Sequence, residues 1–153
     1  MPTTGILSPS AIRLDDDSPS KKRALEHAAQ LLAPDDVELS ERIYERLLER
    51  ERLGSTGLSG GVALPHARMP EIKQTRGAFL RLTTPIDFDS IDGRPVDLVF
   101  ALLVPEEATE EHLKLLAELA RMFNDPAMRN ELRHAAKEQA YDLLTRHIAH
   151  DAA

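Results

Sequence analysis

The run from Val96 to Val104 constrains the fold more than any other part of this sequence. Every residue in it except Asp97 is apolar, and Pro105 follows directly. A strand that is apolar on both of its alternating faces is typical of the centre of a sheet that other elements cover on both sides. We expect the strand to end at Pro105, because proline lacks the N–H group that a sheet needs. The segment therefore predicts a layered domain built around a buried sheet.

Helix and strand patterns accompany this run. Apolar residues recur at helical spacing from Leu25 to Leu32, and Ser18-Pro19 before them is typical of a helix start. His27 falls outside that apolar stripe, so we expect it to be solvated. The alternation from Gly77 to Thr83 predicts a half-buried strand. Together these patterns predict an α/β domain with a mixed parallel and antiparallel sheet of about four to five strands and helices on both faces.

Length and charge limit the classes of function. A chain of 153 residues predicts a single domain, which we assign to residues 18–150, with residues 1–17 as an N-terminal extension or edge segment. The net charge of −7 argues against nucleic-acid binding, which requires a basic surface. The chain has no cysteine and no apolar run of the roughly 20 residues that span a bilayer. We therefore expect a cytoplasmic protein without membrane insertion.

The segment from Gly54 to His66 is the first candidate site. It contains four of the seven glycines, continues as a short apolar strand and ends in Pro65-His66. Histidine titrates near neutral pH, and this one follows a loop that we expect to be rich in free backbone N–H groups. Those groups, with the hydroxyls of Ser55 and Thr56, suit an anion such as phosphate. The alternative is a surface histidine after an ordinary strand.

Two further side chains are candidates for the same site. His112 follows Thr109, a candidate N-cap, and so lies in the first turn of a helix, where the dipole favours a neutral imidazole and a nearby anion. Arg50 lies in the last turn of a helix that Gly54 ends, where a guanidinium can bind phosphate with two hydrogen bonds. The alternatives are a histidine that merely fills a helix turn and an arginine on a solvated face.

The sequence predicts neither a metal nor a cofactor. It has no cysteine, no glycine-lysine loop for a nucleotide and no obvious carboxylate set for Mg²⁺. His147 and His150 lie three residues apart near the C-terminus, but a metal site there would need further ligands.

These residues lie in segments that resemble the enzyme IIA domains of the fructose–mannitol class, which are phosphocarriers of the bacterial phosphoenolpyruvate-dependent phosphotransferase system. The matching segments are Arg50 to Gly57, Gly61 to His66, Thr84 to Asp89, Pro95 to Pro105, and His112-Leu113. The resemblance covers roughly residues 18–148. It is closest to the nitrogen-related enzyme IIA, a stand-alone regulator. One departure is Ser59-Gly60, where relatives often carry Gly-Asn.

The resemblance implies that His66 accepts a phosphoryl group, at the tele nitrogen Nε2, from a phosphohistidine on an HPr-like carrier (NPr). It implies His112 as the second active-site histidine and Arg50 as the active-site arginine. Ser55 and Thr56 are implied less directly, as phosphate-binding residues. The implied regulatory partners include potassium transport or sensor proteins, and the implied fold is a mixed α/β sandwich.

Four functions remain open, and the first is favoured. The chain is a regulatory phosphocarrier whose state at His66 controls partner binding, or a sugar-transport component that passes phosphate to a fructose- or mannitol-type enzyme IIB. A third possibility is a binding module whose histidines never turn over. The fourth is a hydrolase, for which neither a serine elbow nor a zinc motif is present.

Overall fold

The computed structural model describes residues 6–107 and 109–152. This part of the chain contains five strands and five α-helices. The strands are β1 (Ile12–Asp16), β2 (Val62–Ala63), β3 (His66–Met69), β4 (Arg76–Ile86) and β5 (Val96–Pro105). The helices are α1 (Lys21–Leu32), α2 (Val37–Leu53), α3 (Thr109–Phe123), α4 (Pro126–His134) and α5 (Lys137–Ala152). None of these helices combines the length and the hydropathy that crossing a bilayer requires.

The five strands form one mixed sheet, as predicted. Its order is β1-β4-β5-β2, and β3 also pairs with β5. The β4–β5 pair is antiparallel, whereas β1 runs parallel to β4, and both β2 and β3 run parallel to β5. Strand β1 thus forms one edge of the sheet. The assignment of residues 1–17 as a separate segment stays a prediction.

Pro65 interrupts the other edge without ending it. Val62 lies opposite Leu98, and His66 lies opposite Leu102, so the same register continues on both sides of the proline. The Pro65 carbonyl accepts a hydrogen bond from the Leu102 N–H group at 2.9 Å. Strand β2 ends at Ala63, before Pro65, as expected, but the edge of the sheet continues after the proline, where His66 begins β3 next to the buried central strand.

Both faces of the sheet are covered. Arg76 and Arg81 lie five positions apart in β4, so their side chains point to opposite faces. Arg76 donates to the Leu32 carbonyl at the end of α1, whereas Arg81 donates to the carbonyls of Leu132 and Ala135 beside α4. The strand predicted over Gly77 to Thr83 is confirmed as part of β4, but it is not half-buried, because Ala78, Phe79 and Leu80 are all buried. The prediction that β5 is covered on both faces is confirmed.

The start of α1 differs from the prediction. Ser20, not Ser18, is the N-cap, and its hydroxyl accepts the Arg23 N–H group. The hydroxyl of Ser18 donates instead to the buried carboxylate of Asp16. His27 is not solvated, because its Nδ1 lies 2.8 Å from Asp16 Oδ2 and its side chain is only 15% exposed. The end of strand β1 therefore covers this histidine, which the helical pattern of α1 cannot reveal.

The remaining helix ends mostly follow the sequence. Asp36 caps α2, Gly54 ends it, and Asp125 with Pro126 begins α4. Helix α3 begins at Thr109 itself, so the prediction of Thr109 as its N-cap is wrong, and the residue before it lies outside the described part of the chain. His112 is still in the first turn, as predicted.

Candidate active site

Both ring nitrogens of His66 are engaged. Nδ1 lies 2.8 Å from the Leu64 carbonyl oxygen, and Nε2 lies 3.3 Å from Nε of Arg50. A carbonyl oxygen can only accept a hydrogen bond, and a guanidinium can only donate one. Nδ1 therefore carries the ring proton, and the lone pair belongs to Nε2. The two contacts specify the same tautomer independently.

Arg50 is fixed between the end of α2 and this imidazole. Its Nη1 donates to the Gly54 carbonyl at 2.8 Å, while its Nε faces His66. A cation is favourable at this position, because unpaired carbonyls and the negative end of the dipole lie at the C-terminus of a helix. The guanidinium is thus held next to the lone pair, where it can contact an anion bound to Nε2.

His112 forms the opposite wall of the site. Its ring centroid lies 5.2 Å from that of His66, with the two ring planes at 54°. The side chain is buried, and its Nδ1 has no hydrogen-bond partner among the described residues. A buried polar atom without a partner is costly in a folded protein, so it indicates a group kept for a ligand.

The surroundings keep both imidazoles neutral. Burial lowers the pKa of His66 below 6.5, and the charge of Arg50 lowers it further, while the hydrogen bond to the Leu64 carbonyl and the Glu51 carboxylate act in the opposite direction. Burial lowers the pKa of His112 to about 4, with additional effects of His66 and nearby arginines. At neutral pH, His66 therefore presents an unprotonated nitrogen, which is the nucleophilic form.

The hydroxyls of Ser55 and Thr56 are already used within the protein. Ser55 Oγ donates to the Phe88 carbonyl at 2.6 Å and accepts the Gly57 N–H group at 2.9 Å. Thr56 Oγ1 donates to the carboxylate of Glu51. In this conformation neither hydroxyl proton is free for an anion. Their role as phosphate-binding residues stays a prediction.

Several backbone N–H groups of the glycine-rich loop, which the sequence led us to expect to be free, are already bonded inside the protein. The loop folds back so that Gly57 bridges Ala63 in antiparallel fashion, with Gly60 and Gly61 at φ values of 81° and 82° in the turn. Glycine suits these positions because other residues rarely adopt positive φ. The N–H groups that bond inside the protein are those of Gly54, Thr56, Gly57, Leu58 and Gly60.

Sequence reasoning missed Glu51, which is buried beneath this loop. It accepts the Thr56 N–H group at 3.1 Å and pairs with Lys21 at 3.0 Å. A signal was present, because Glu51 continues the four-residue spacing of Ile43 and Leu47 on the buried side of α2. A solvated face at this end of α2, the alternative given for Arg50, does not extend to Glu51.

The described residues contain no group of three or more side chains arranged to bind a metal ion. Nδ1 of His147 instead donates to the Leu143 carbonyl at 2.8 Å. The side chain of His150 lies outside the described part of the structure.

Comparison with known proteins shows two relatives that match most of this chain. A nitrogen regulatory protein of Pseudomonas aeruginosa is 46% identical over 136 residues, covering 88% of this chain and 88% of that protein. A fructose-specific EIIA component of Haloferax volcanii is 34% identical over 136 residues, covering 87% of this chain and 88% of that one.

Two solved structures share the fold of this chain. The crystal structure of nitrogen regulatory protein IIA-Ntr from Neisseria meningitidis has a TM-score of 0.87 and 44% identity, covering 92% of this chain and 97% of that one. The mannitol IIA of Escherichia coli shares the fold, with a TM-score of 0.73, at 21% identity over 90% of this chain and 97% of that one. Residues 5–147 match the family described as "Phosphoenolpyruvate-dependent sugar phosphotransferase system, EIIA 2". The chain therefore belongs to the EIIA 2 family of this phosphotransferase system.

Proposed function

We propose that this protein is a regulatory phosphocarrier of the nitrogen-related phosphotransferase system. It accepts a phosphoryl group on Nε2 of His66 from a phosphohistidine on an HPr-like carrier (NPr). The observation that supports this most directly is the lone pair of Nε2, which faces Arg50 while the Leu64 carbonyl holds the proton on Nδ1.

No proton moves during the transfer when the donor's phosphohistidine is protonated on its other ring nitrogen, because the donor ring then leaves as a neutral imidazole. Nε2 attacks phosphorus as the bond between phosphorus and the donor's ring nitrogen breaks, and the electron pair of that bond returns to the donor ring. The His66 ring gains positive character, which the Leu64 carbonyl stabilises through its hydrogen bond to Nδ1–H. Such a reaction depends chiefly on positioning and on stabilising the charge of the phosphoryl oxygens.

Two side chains are suited to that stabilisation. Arg50 releases Nε2 and turns its donors toward the oxygens as the phosphoryl group arrives, while Gly54 anchors the far side of its guanidinium. His112 is neutral and lies across the site, so it can donate one N–H group without repelling Arg50. Neither contribution requires a metal ion.

Regulation is the proposed output because relatives that match nearly the whole chain are named nitrogen regulatory proteins. Phosphorylation adds about −1.5 to −2 charge at neutral pH, which changes the electrostatic attraction or repulsion between the site and a partner surface. The proposed targets are potassium transport or sensor proteins.

Replacing the acceptor tests the proposal. After incubation with phosphoenolpyruvate, enzyme I and the HPr-type carrier, we expect the intact mass of wild type to rise by one acid-labile phosphoryl group. His66→Ala should show no increase because Nε2 is absent. His134→Ala is the matched control, since this histidine is exposed and bonds only to the Asn130 carbonyl. A phosphorylated His66→Ala protein would refute the assignment.

The second candidate is a sugar-specific enzyme IIA that passes phosphate on to an enzyme IIB. The fructose-specific relative of Haloferax volcanii supports it, because it also covers most of the chain. The phosphorylated protein is mixed with a fructose- or mannitol-type IIB, and the loss of the phosphoryl group from His66 is followed. We expect the protein to keep its phosphoryl group. Rapid transfer to IIB would support the sugar-specific alternative.

A further inference from the structure

Glu51 is a buried acid that the transfer chemistry described above does not use. Only 6% of the residue is exposed. Its carboxylate accepts the backbone N–H group of Thr56 at 3.1 Å and the hydroxyl of the same residue. A buried carboxylate is costly unless it is paired and hydrogen-bonded, and this one satisfies both conditions.

The paired cation comes from a different part of the chain. Lys21 is the first residue of α1, and its Nζ lies 3.0 Å from Glu51 Oε1 with the side chain 19% exposed. The same ammonium lies 3.5 Å from the Phe88 carbonyl and 4.8 Å from the centre of the Phe88 ring. The α1 start, the end of α2 and the β4–β5 connection thus meet beneath the glycine-rich loop.

This arrangement is connected to the acceptor through the backbone. Glu51 holds Thr56, and the carbonyl two residues earlier, on Gly54, anchors Nη1 of Arg50. Arg50 in turn contacts Nε2 of His66. A shift of the loop would therefore move the guanidinium away from the reacting nitrogen.

We propose that Glu51, balanced by Lys21, is a positioning residue for phosphoryl transfer to His66, because it fixes the Gly54–Thr56 backbone that orients Arg50. The proposal rests on the function proposed above. Glu51 acts through Thr56 and contacts neither the donor nor the phosphoryl group. It therefore affects the rate of transfer rather than the affinity for the carrier.

Single-turnover transfer from a purified, pre-phosphorylated HPr-type carrier tests this role. The variants are Glu51→Gln, Thr56→Val and the double variant, with Thr56→Ser as the version that keeps the hydroxyl. Glu49→Gln is the matched control, because this residue is exposed on the same helix. We expect Glu51→Gln and Thr56→Val each to slow maximal transfer roughly tenfold, without changing the carrier concentration at half-maximal rate.

The double variant decides whether the two residues act as one unit. We expect it to be no slower than Glu51→Gln alone, because the hydroxyl acts through the carboxylate. Additive losses would mean that Thr56 contacts the phosphoryl group directly and would overturn the proposal. Thr56→Ser should transfer near the wild-type rate, and this series keeps the test decisive if Glu51→Gln does not fold.

A second readout tests whether the charge of the Glu51 carboxylate acts on the acceptor in solution. In a proton NMR titration, Glu51→Gln should lower the pKa of His66, since the lost carboxylate charge had raised it, whereas Glu49→Gln should not. A folded Glu51→Gln protein that transfers at the wild-type rate would overturn the role of Glu51 and leave the proposed function standing. Absence of any phosphorylation of wild type would instead overturn the proposed function and this role with it.

Discussion

The imidazole of His112 is buried in the folded protein, and its pKa there is lowered from 6.5 to about 4. Between these two values the unfolded chain binds more protons than the folded one. The free energy of unfolding therefore increases with pH across this window, so the contribution is complete above about pH 6.5 and is lost on acidification toward about pH 4. A shift of this size corresponds to about 3 kcal/mol.

This pH dependence can be isolated with a variant. Between about pH 7.5 and about pH 4, urea unfolding of wild type should lose about 3 kcal/mol more than unfolding of His112→Gln, which has no imidazole at this position. The carboxylates titrate alike in both proteins, so they cancel in the difference. Equal losses in the two proteins would contradict the lowered pKa of His112.

The acceptor and its neighbours show which parts of a site a sequence reveals. His66, His112 and Arg50 were predicted separately, from a strand end, a helix start and a helix end, and the structure brings the three together. The tautomer of His66 was not predictable, because it depends on the direction of the Leu64 carbonyl, which the sequence pattern does not reveal. The type of a charged residue near a helix end does not indicate burial. Its spacing from the buried apolar residues of the helix does.

Strand β1 and helix α1 are joined by a cluster of side chains around Asp16. The Asp16 carboxylate is buried and accepts the Ser18 hydroxyl and N–H group as well as Nδ1–H of His27. Burial alone would raise the pKa of Asp16, but the hydrogen bonds from Ser18 and His27 outweigh it and hold the pKa below 3.8. The cluster therefore stabilises the fold above about pH 4 and loses this contribution as the pH falls further.

Neutralising this carboxylate should weaken the attachment of β1. We expect Asp16→Asn to lower the free energy of unfolding by about 2 kcal/mol at neutral pH, because it leaves buried donors with a poorer acceptor. Urea unfolding measures the difference, and Asp17→Asn is the control, since Asp17 is exposed beside it. Equal stability of the two variants would show that the cluster contributes little.

Elements were predictable where a local pattern determines them. The apolar run of β5 and the helix end at Gly54 each depend on neighbours in sequence, and each is confirmed. The burial of His27 depends on β1, which pairs in parallel with β4 more than 60 residues later, as with Ile12 opposite Phe79. Local periodicity contains no information on such a pairing.

The whole molecule carries a net charge of −7, yet its candidate site combines neutral imidazoles with an arginine. No cluster of metal-binding side chains lies within residues 6–107 and 109–152. Arg50 and His112 lie next to His66 and are the groups proposed to stabilise the transferring charge.

Transfer should consequently be independent of divalent cations. With the carrier phosphorylated and purified beforehand, we expect the rate of transfer to His66 to be the same in EDTA as in excess Mg²⁺. Using the purified carrier keeps any requirement of the earlier steps out of the measurement. A rate that collapses in EDTA and returns with Mg²⁺ would show that a cation takes part in the transfer.

We propose that Nε2 of His66 receives the phosphoryl group while Nδ1 keeps its proton. Long-range proton–nitrogen NMR correlation of the ¹⁵N-labelled, phosphorylated protein distinguishes the two ring nitrogens directly. We predict that the spectrum assigns the phosphoryl group to Nε2 of His66 and a protonated nitrogen to Nδ1. Phosphorylation at Nδ1, or on any other residue, would contradict the account.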